Sequence, residues 1–232
     1  MLKFSPFSNS QIFLSEKKDG SITSAKQAIK LLRKNKINSD ICYFHHQHQA
    51  HRFYLNSKKM NIQSQIWADA VISTNKKTCI AMSVADCFPI FITPSNKSKK
   101  NFILIHAGWK PLLQNIIELT LNDLKYLYKI DLNTLKVWIG PGIKNCCYRF
   151  KQKPIQVDLP NWQKHISQKK NFWHINLKGF IKDEFLKLNI KPSNIIDYNV
   201  CTHCNPDIFF SHQRSLNNKE KESRMLVAIQ PL

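Results

Sequence analysis

No run of apolar residues in this chain approaches the length a bilayer demands. The longest, Phe88 to Ile92 and Phe102 to Ile105, stop after a few residues, against about 20 for a spanning helix. The order of a signal peptide is also missing, because Met1 to Ser10 mixes Lys, Ser, Pro and Asn with isolated Phe. Both absences point to a soluble, cytoplasmic protein with no membrane partner. Acidic residues are scarce, 15 against 35 Lys and Arg, which leaves a formal charge of +20. Such an excess ordinarily suggests nucleic acid, since bound cations release phosphate counterions. Here the lysines are scattered in pairs, Lys17-Lys18, Lys58-Lys59, Lys76-Lys77 and Lys99-Lys100, with no aromatic-interleaved stripe among them. Glycine is scarce too, five in 232 residues, while Asn and Ile abound. That is the bias of AT-rich codons, so the charge reads as compositional drift and no nucleic-acid partner is expected. Seven cysteines, an odd number, on a chain without an export signal argue against a disulfide framework. Reduced thiols are expected, with metal binding or catalysis as the exception.

What is present suits one hydrophobic core, and neither a repeat nor a linker divides residues 1–232. β-branched and apolar runs predict strands at Gln11 to Leu14, Ile41 to Phe44, Phe53 to Leu55, Ala70 to Ser73, Thr78 to Val84, Phe88 to Thr93, Phe102 to His106, Val137 to Ile139, Ile195 to Asn199 and Met225 to Ile229. Helical spacing predicts Ser24 to Lys34, a long helix from Leu112 to Tyr128, and Ile175 to Leu188. The stretch Pro94 to Lys100 is a polar loop, Ile155 to Lys170 fits no pattern, and Asn217 to Ser223 reads as a solvated loop. Strands mixed with a few helices predict a layered α/β (α+β) sandwich in a single domain, with residues 1–40 its most divergent part.

Three features carry chemistry. His45, His46, His48 and His51 crowd the end of a predicted strand; Cys87 follows Ala85-Asp86 directly after the strand Thr78 to Val84; and His106 opens His106-Ala107-Gly108-Trp109 at the end of another. Alone, each reads as well as a surface cluster, an inert buried thiol or a hydrogen-bonded core histidine. Together, two histidines and a cysteine at neighbouring strand ends make a three-ligand set with a fourth position open, the catalytic form of a zinc site. Asp69 and Asp86 are candidates to orient the ligands from behind, or simply to cap turns. Cys201-x-x-Cys204 has no second pair at ribbon spacing, so no structural zinc is expected there and Cys204 should not affect metal content.

The ordered fragments Ala68-Asp69-Ala70, Ala85-Asp86-Cys87-Phe88-Pro89-Ile90, His106-Ala107-Gly108-Trp109, Ile139-Gly140-Pro141-Gly142-Ile143 with Cys147-Tyr148, Cys201-Thr202 and Phe210-Ser211 resemble the laccase-domain family. That family is also labelled polyphenol oxidase or peptidoglycan editing factor, with members of purine nucleoside phosphorylase type. The resemblance implies Cys87 and His106 as zinc ligands, together with the His of a Gln-x-His motif. Strand alternation through Phe53 and Leu55 places His48 at that position, with His46 replacing the Gln. The literal Gln49-Ala50-His51 keeps His51 as the alternative. The implied activity is phosphorolysis of adenosine, inosine and methylthioadenosine together with adenosine deamination, with His48, Cys87 and His106 catalytic and Lys110 or Arg214 receiving phosphate. Implied partners are thus the nucleoside and phosphate, and the implied cofactor is zinc, with copper as the alternative.

Four departures bear on substrate binding. Lys110 and Pro111 stand where the family has Arg and Gly, Arg149 where it has Glu, Gln213 where it has Arg, and Arg224 lacks its usual preceding Gly. Two further readings remain open. One is hydrolytic editing of a misbuilt peptidoglycan precursor, with Cys87 as nucleophile and His106 as base. The other is a non-catalytic remnant that binds RNA or protein through its basic surface.

Overall fold

The computed structural model describes residues 1–55, 66–95, 101–219 and 221–232. Fifteen strands are formed among them. The first seven are Leu2–Phe7 (β1), Ser10–Leu14 (β2), Asp40–His45 (β3), Arg52–Leu55 (β4), Ile66–Trp67 (β5), Ala70–Ser73 (β6) and Thr78–Val84 (β7). Next come Phe88–Pro94 (β8), Phe102–Ala107 (β9), Leu135–Ile139 (β10), Arg149–Phe150 (β11), Ile166–Lys169 (β12), Phe172–Ile175 (β13), Ile195–Asp197 (β14) and Met225–Pro231 (β15). The helices are Ala25–Lys34 (α1), Trp109–Leu113 (α2), Ile116–Tyr126 (α3), Leu177–Lys187 (α4) and His212–Asn218 (α5). None of them is long and apolar enough to cross a membrane.

Two six-stranded sheets, ordered β1-β2-β15-β7-β3-β5 and β14-β10-β8-β9-β6-β4, stack face to face, and a small sheet β11-β13-β12 lies to one side. The pleat explains why the central strands are apolar throughout. In β7, Ile80, Met82 and Val84 face the layer between the sheets, while Cys79 and Ala81 face α1 through Ala28, Leu31 and Leu32. In β9, Phe102 and Leu104 face the inter-sheet layer, while Ile103 and Ile105 pack under α3 and α4. Strands covered on both faces carry no polar alternation. The result is helix, sheet, sheet, helix: the layered α/β sandwich expected from sequence.

The differences have local causes. The helix expected from Leu112 to Tyr128 is two helices, because Asn115 takes a left-handed conformation (φ 58°) between them. Leu127 falls outside and is 63% exposed. β1 is an edge strand carrying Pro6, where a missing N–H costs nothing. The unassigned stretch 155–170 ends in β12, which pairs with β13 just before α4. α5 occupies part of the expected C-terminal loop, with Ser211 accepting from the Arg214 amide as its N-cap. The expected loop Pro94 to Lys100 and the pairs Lys58-Lys59 and Lys99-Lys100 lie wholly or mostly outside the described residues.

Candidate metal centre

Three strand ends meet at one edge of the sandwich. The chain leaves β3 at His45 and turns through His46–Ala50; it crosses from β7 to β8 through Ala85, Asp86 and Cys87; and it leaves β9 at His106-Ala107 to enter α2 at Gly108. The first turn is strained, with His48 (φ 61°) and Ala50 (φ 53°) both left-handed. Such residues cost about 1–3 kcal/mol each and persist only when their surroundings hold them. Asp69 does the holding. Its buried carboxylate accepts from the amides of His48 (2.8 Å) and Gln49 (2.9 Å), and Gln114 Nε2 donates to the His48 carbonyl at 3.2 Å.

The same carboxylate lies 3.1 Å from His106 Nδ1. That contact occupies Nδ1 and leaves Nε2 to face Cys87 across Gly108. A Cβ added to Gly108 would lie 2.9 Å from Cys87 Sγ and 3.5 Å from His106 Nε2, so this position admits no side chain without displacing the thiol. The His48 and His106 rings sit edge to face at 5.0 Å, and both imidazoles lie close enough to Cys87 to act on its thiol. Burial raises the thiol pKa, but the two imidazoles, His106 foremost, outweigh it and bring it down to about 6. Burial likewise opposes charge on His106, yet the Cys87 thiolate and Asp69 raise it to about 9. Without metal, a thiolate and an imidazolium therefore stand side by side at neutral pH. Two imidazole nitrogens and a thiolate, with one imidazole tied to a carboxylate, form a donor set that suits catalytic zinc.

His46, taken from sequence as the replacement for a Gln, also belongs here. Its ring stacks on His106 at 4.2 Å, and ligand atoms of His46, His48 and His106 all lie within 4.8 Å of one another. Burial, reinforced by the charges of His106 and His48, lowers its pKa to about 2, which keeps it neutral. Arg224 Nη1 approaches its Nε2 at 3.2 Å, and the buried Nδ1 finds no hydrogen-bond partner among the described residues. The remaining histidines of the run point elsewhere: His45 stacks on Trp67, and His51 is exposed, joining the site only through its carbonyl, which accepts from the amides of Asp69 and Ala70. His48→Ala is accordingly expected to abolish metal binding at this centre, whereas His51→Ala should spare it. Elemental analysis of the two purified variants decides, and the reverse result would restore the literal Gln-x-His register.

A cavity of about 350 Å³ opens over the centre, lined by His48, Cys87, Trp109, Lys110, Tyr148 and Phe150 among others. The Lys110 ammonium sits over the Trp109 ring at 5.5 Å. Burial and the nearby charges of Cys87 and Asp86 push the Tyr148 phenol above its usual range, so it keeps its proton. Arg214 differs from expectation. Its guanidinium donates to the carbonyls of Thr202 (3.2 Å), His203 (2.9 Å) and Phe209 (2.5 Å), and it does not line the cavity. Of the two candidate phosphate-binding cations, only Lys110 does.

Among the described residues, Asp86 makes no hydrogen bond or ion pair with the histidines. Left-handed at φ 76° and buried, it accepts from Thr202 Oγ1 (2.6 Å), Ser211 Oγ (2.9 Å) and the Gln213 amide (2.7 Å). It clamps the segment after β14 and the start of α5 onto the turn that carries Cys87.

A family model described as multi-copper polyphenol oxidoreductase laccase matches residues 11–230. The chain belongs to that laccase family. Among solved structures, hypothetical protein YfiH of Bacillus licheniformis superposes with a TM-score of 0.80 at 19% identity, covering 95% of this chain and 92% of that one. YlmD of Geobacillus stearothermophilus superposes at 0.79 and 19%, covering 98% and 94%. Among curated relatives of this laccase-family chain, a protein of Clostridium acetobutylicum named purine nucleoside phosphorylase is 28% identical over 147 residues, 63% of this chain and 61% of its own length. A human protein of the same designation is 30% identical over 158 residues, covering 63% of this chain and 35% of that protein. The matched region thus spans less than two thirds of these relatives. Of the laccase-family departures, Lys110 and Gln213 line the cavity, Pro111 is buried in α2, and the Arg149 guanidinium lies over Phe172 at 4.7 Å.

Proposed function

We propose that the chain is a zinc-dependent purine nucleoside enzyme, acting by phosphorolysis of adenosine, inosine and methylthioadenosine and by deamination of adenosine. The observation that carries this reading is the cavity that His48 and Cys87 line together with Trp109, Tyr148 and Phe150, with the buried His106 acting on the Cys87 thiol from behind. The relatives named purine nucleoside phosphorylase support the substrate class. Zinc held by these three residues would supply Lewis acidity, with copper as the alternative metal. The protein supplies the rest. Asp69 keeps the His106 ring turned with Nε2 toward the thiol; the aromatic walls offer faces to a purine; Tyr148 offers an O–H; and Lys110 offers a cation to phosphate. Seven unpaired thiols suit a reducing cytoplasm.

The test is chromatography of adenosine incubated with zinc-loaded protein, with and without phosphate. Adenine should appear only with phosphate, and inosine in either case. Deamination should be the more robust activity, because the phosphate contact rests on a lysine, a point charge rather than a bidentate fork. Failure to convert any purine nucleoside would overturn the reading. One observation favours a rival in that event: Cys87, His106 and Asp69 form a thiolate, imidazolium and carboxylate series of the kind a cysteine hydrolase uses. Metal-independent cleavage of a muramyl-peptide precursor bearing the wrong first amino acid would then identify an editing hydrolase.

A further inference from the structure

A second cluster of sulfur stands apart from the three-ligand centre. Cys201 and Cys204 were set aside from sequence for want of a second pair at ribbon spacing; the fold supplies one in the adjacent residues Cys146 and Cys147. All four Sγ atoms lie within 4.8 Å of one another. Individual separations are 3.9 Å for Cys146–Cys201, 3.7 Å for Cys146–Cys204 and 3.2 Å for Cys147–Cys204. Four sulfurs about 2.3 Å from a tetrahedral zinc are about 3.8 Å apart, so the cluster already has close to the dimensions of an occupied site. The distances are also far from the roughly 2.05 Å of a disulfide, and all four thiols are free.

The backbone around the cluster is built to hold it. The Lys144 carbonyl accepts from the amides of Cys147 and Tyr148, both at 2.9 Å, folding the first pair into a tight turn. A bridge between Gly142 and Cys201 joins that turn to the second pair. The Lys144 amide donates to Cys201 Sγ at 3.4 Å, Asn205 Nδ2 to the Cys201 carbonyl at 2.8 Å, and Arg214 to the carbonyls of Thr202 and His203 between the two cysteines. An amide donor aimed at sulfur stabilises a thiolate. Four thiols packed this closely cannot all ionise without a cation among them, and soft thiolate sets select zinc over hard cations.

We propose that Cys146, Cys147, Cys201 and Cys204 bind a second, structural zinc as a tetrathiolate, distinct from the centre at Cys87. The four thiols give up their protons as the metal binds, and no redox change is involved. Its role is a clip. It ties the loop that carries the cavity walls Tyr148 and Phe150 to the segment whose Thr202 hydroxyl anchors Asp86.

The experiment is metal analysis of the whole chain purified anaerobically. Two zinc per chain are expected for the unaltered protein and one for the double variant Cys146→Ser/Cys204→Ser. One is also expected for Cys87→Ala, which keeps this question separate from the catalytic reading. Should the double variant fail to fold, cobalt substitution of the Cys87→Ala variant provides the second measurement. The visible absorption and strong sulfur-to-metal charge-transfer bands of a tetrathiolate cobalt centre are expected there. A double variant with undiminished zinc, a Cys87→Ala variant without cobalt-thiolate bands, or an anaerobic protein whose intact mass shows a disulfide in place of the second metal would each overturn the proposal.

Discussion

Cys87→Ala is expected to strip the metal from the three-ligand centre and to bring nucleoside conversion down to background, while leaving the fold intact. The substitution removes the one anionic donor of the set and leaves two imidazoles, of which only His106 is held from behind by a carboxylate. Alanine at this half-buried position takes the thiolate from His106 but leaves its Asp69 partner in place, so the thermal transition of the metal-free variant should stay close to that of the metal-free parent. The parent also offers a pH signature. With its thiol lowered to about 6, Cys87 in the metal-free protein is a thiolate above that pH, and the fraction falls as pH drops through it. Alkylation followed by peptide mapping should therefore show Cys87 reacting with a midpoint near 6, below the ordinary thiol range, and bound zinc should protect it. Zinc retained at full stoichiometry at this centre by the alanine variant would remove the three-ligand assignment.

Asp86→Ala is expected to cost far more stability than its place beside the proposed ligand Cys87 suggests. Two buried hydroxyls, on Thr202 and Ser211, and the Gln213 amide all give their hydrogen bonds to this carboxylate. Leaving a buried donor unsatisfied costs about 1–3 kcal/mol, and alanine at φ 76° adds about 1–2 kcal/mol of backbone strain that aspartate tolerates better. A total of roughly 4 kcal/mol corresponds, at about 2–4 °C per kcal/mol for a chain of this size, to a fall in Tm of about 10 °C. Asp86→Asn, which keeps the backbone preference and one acceptor oxygen, should lose about half as much. Calorimetry of both variants checks the order, and equal transitions for Asp86→Ala and the parent would show that the clamp carries no stability.

How much of this was legible in the sequence depends on what each residue contacts. β6 and β7 were readable to the residue because both their faces are covered and their composition says so. The edge strand β1, the small hairpin β12–β13 and the short helix α5 lack that signal, since nearly all of their residues are exposed or only half-buried. At the metal centre, strand alternation through Phe53 and Leu55 was enough to prefer His48 over His51, because a one-residue slip would have turned the buried face outward. Asp69 behind His106 followed from the chemistry of a ligating imidazole, whereas the pairing of Asp86 with residues 116 to 127 positions downstream had no local signal. The same holds for Arg214, whose charge suggested an anion but whose donors are taken by carbonyls of its own loop. The cysteine cluster stayed hidden because its halves are 55 residues apart and one half is a vicinal pair.

The position of β15 has a consequence for the order in which the chain can assemble. The strand lies between β2 and β7 in the interior of its sheet, and Arg224, just before it, reaches His46. All three proposed ligands have left the ribosome long before β15 exists. Yet the strand that carries the chain to Cys87 lacks one of its two neighbours until β15 inserts, and Asp86 lacks its partners until residues 202–213 arrive. A chain still short of residue 225 therefore holds the proposed ligands without a shaped site, and metal capture with native geometry waits for β15.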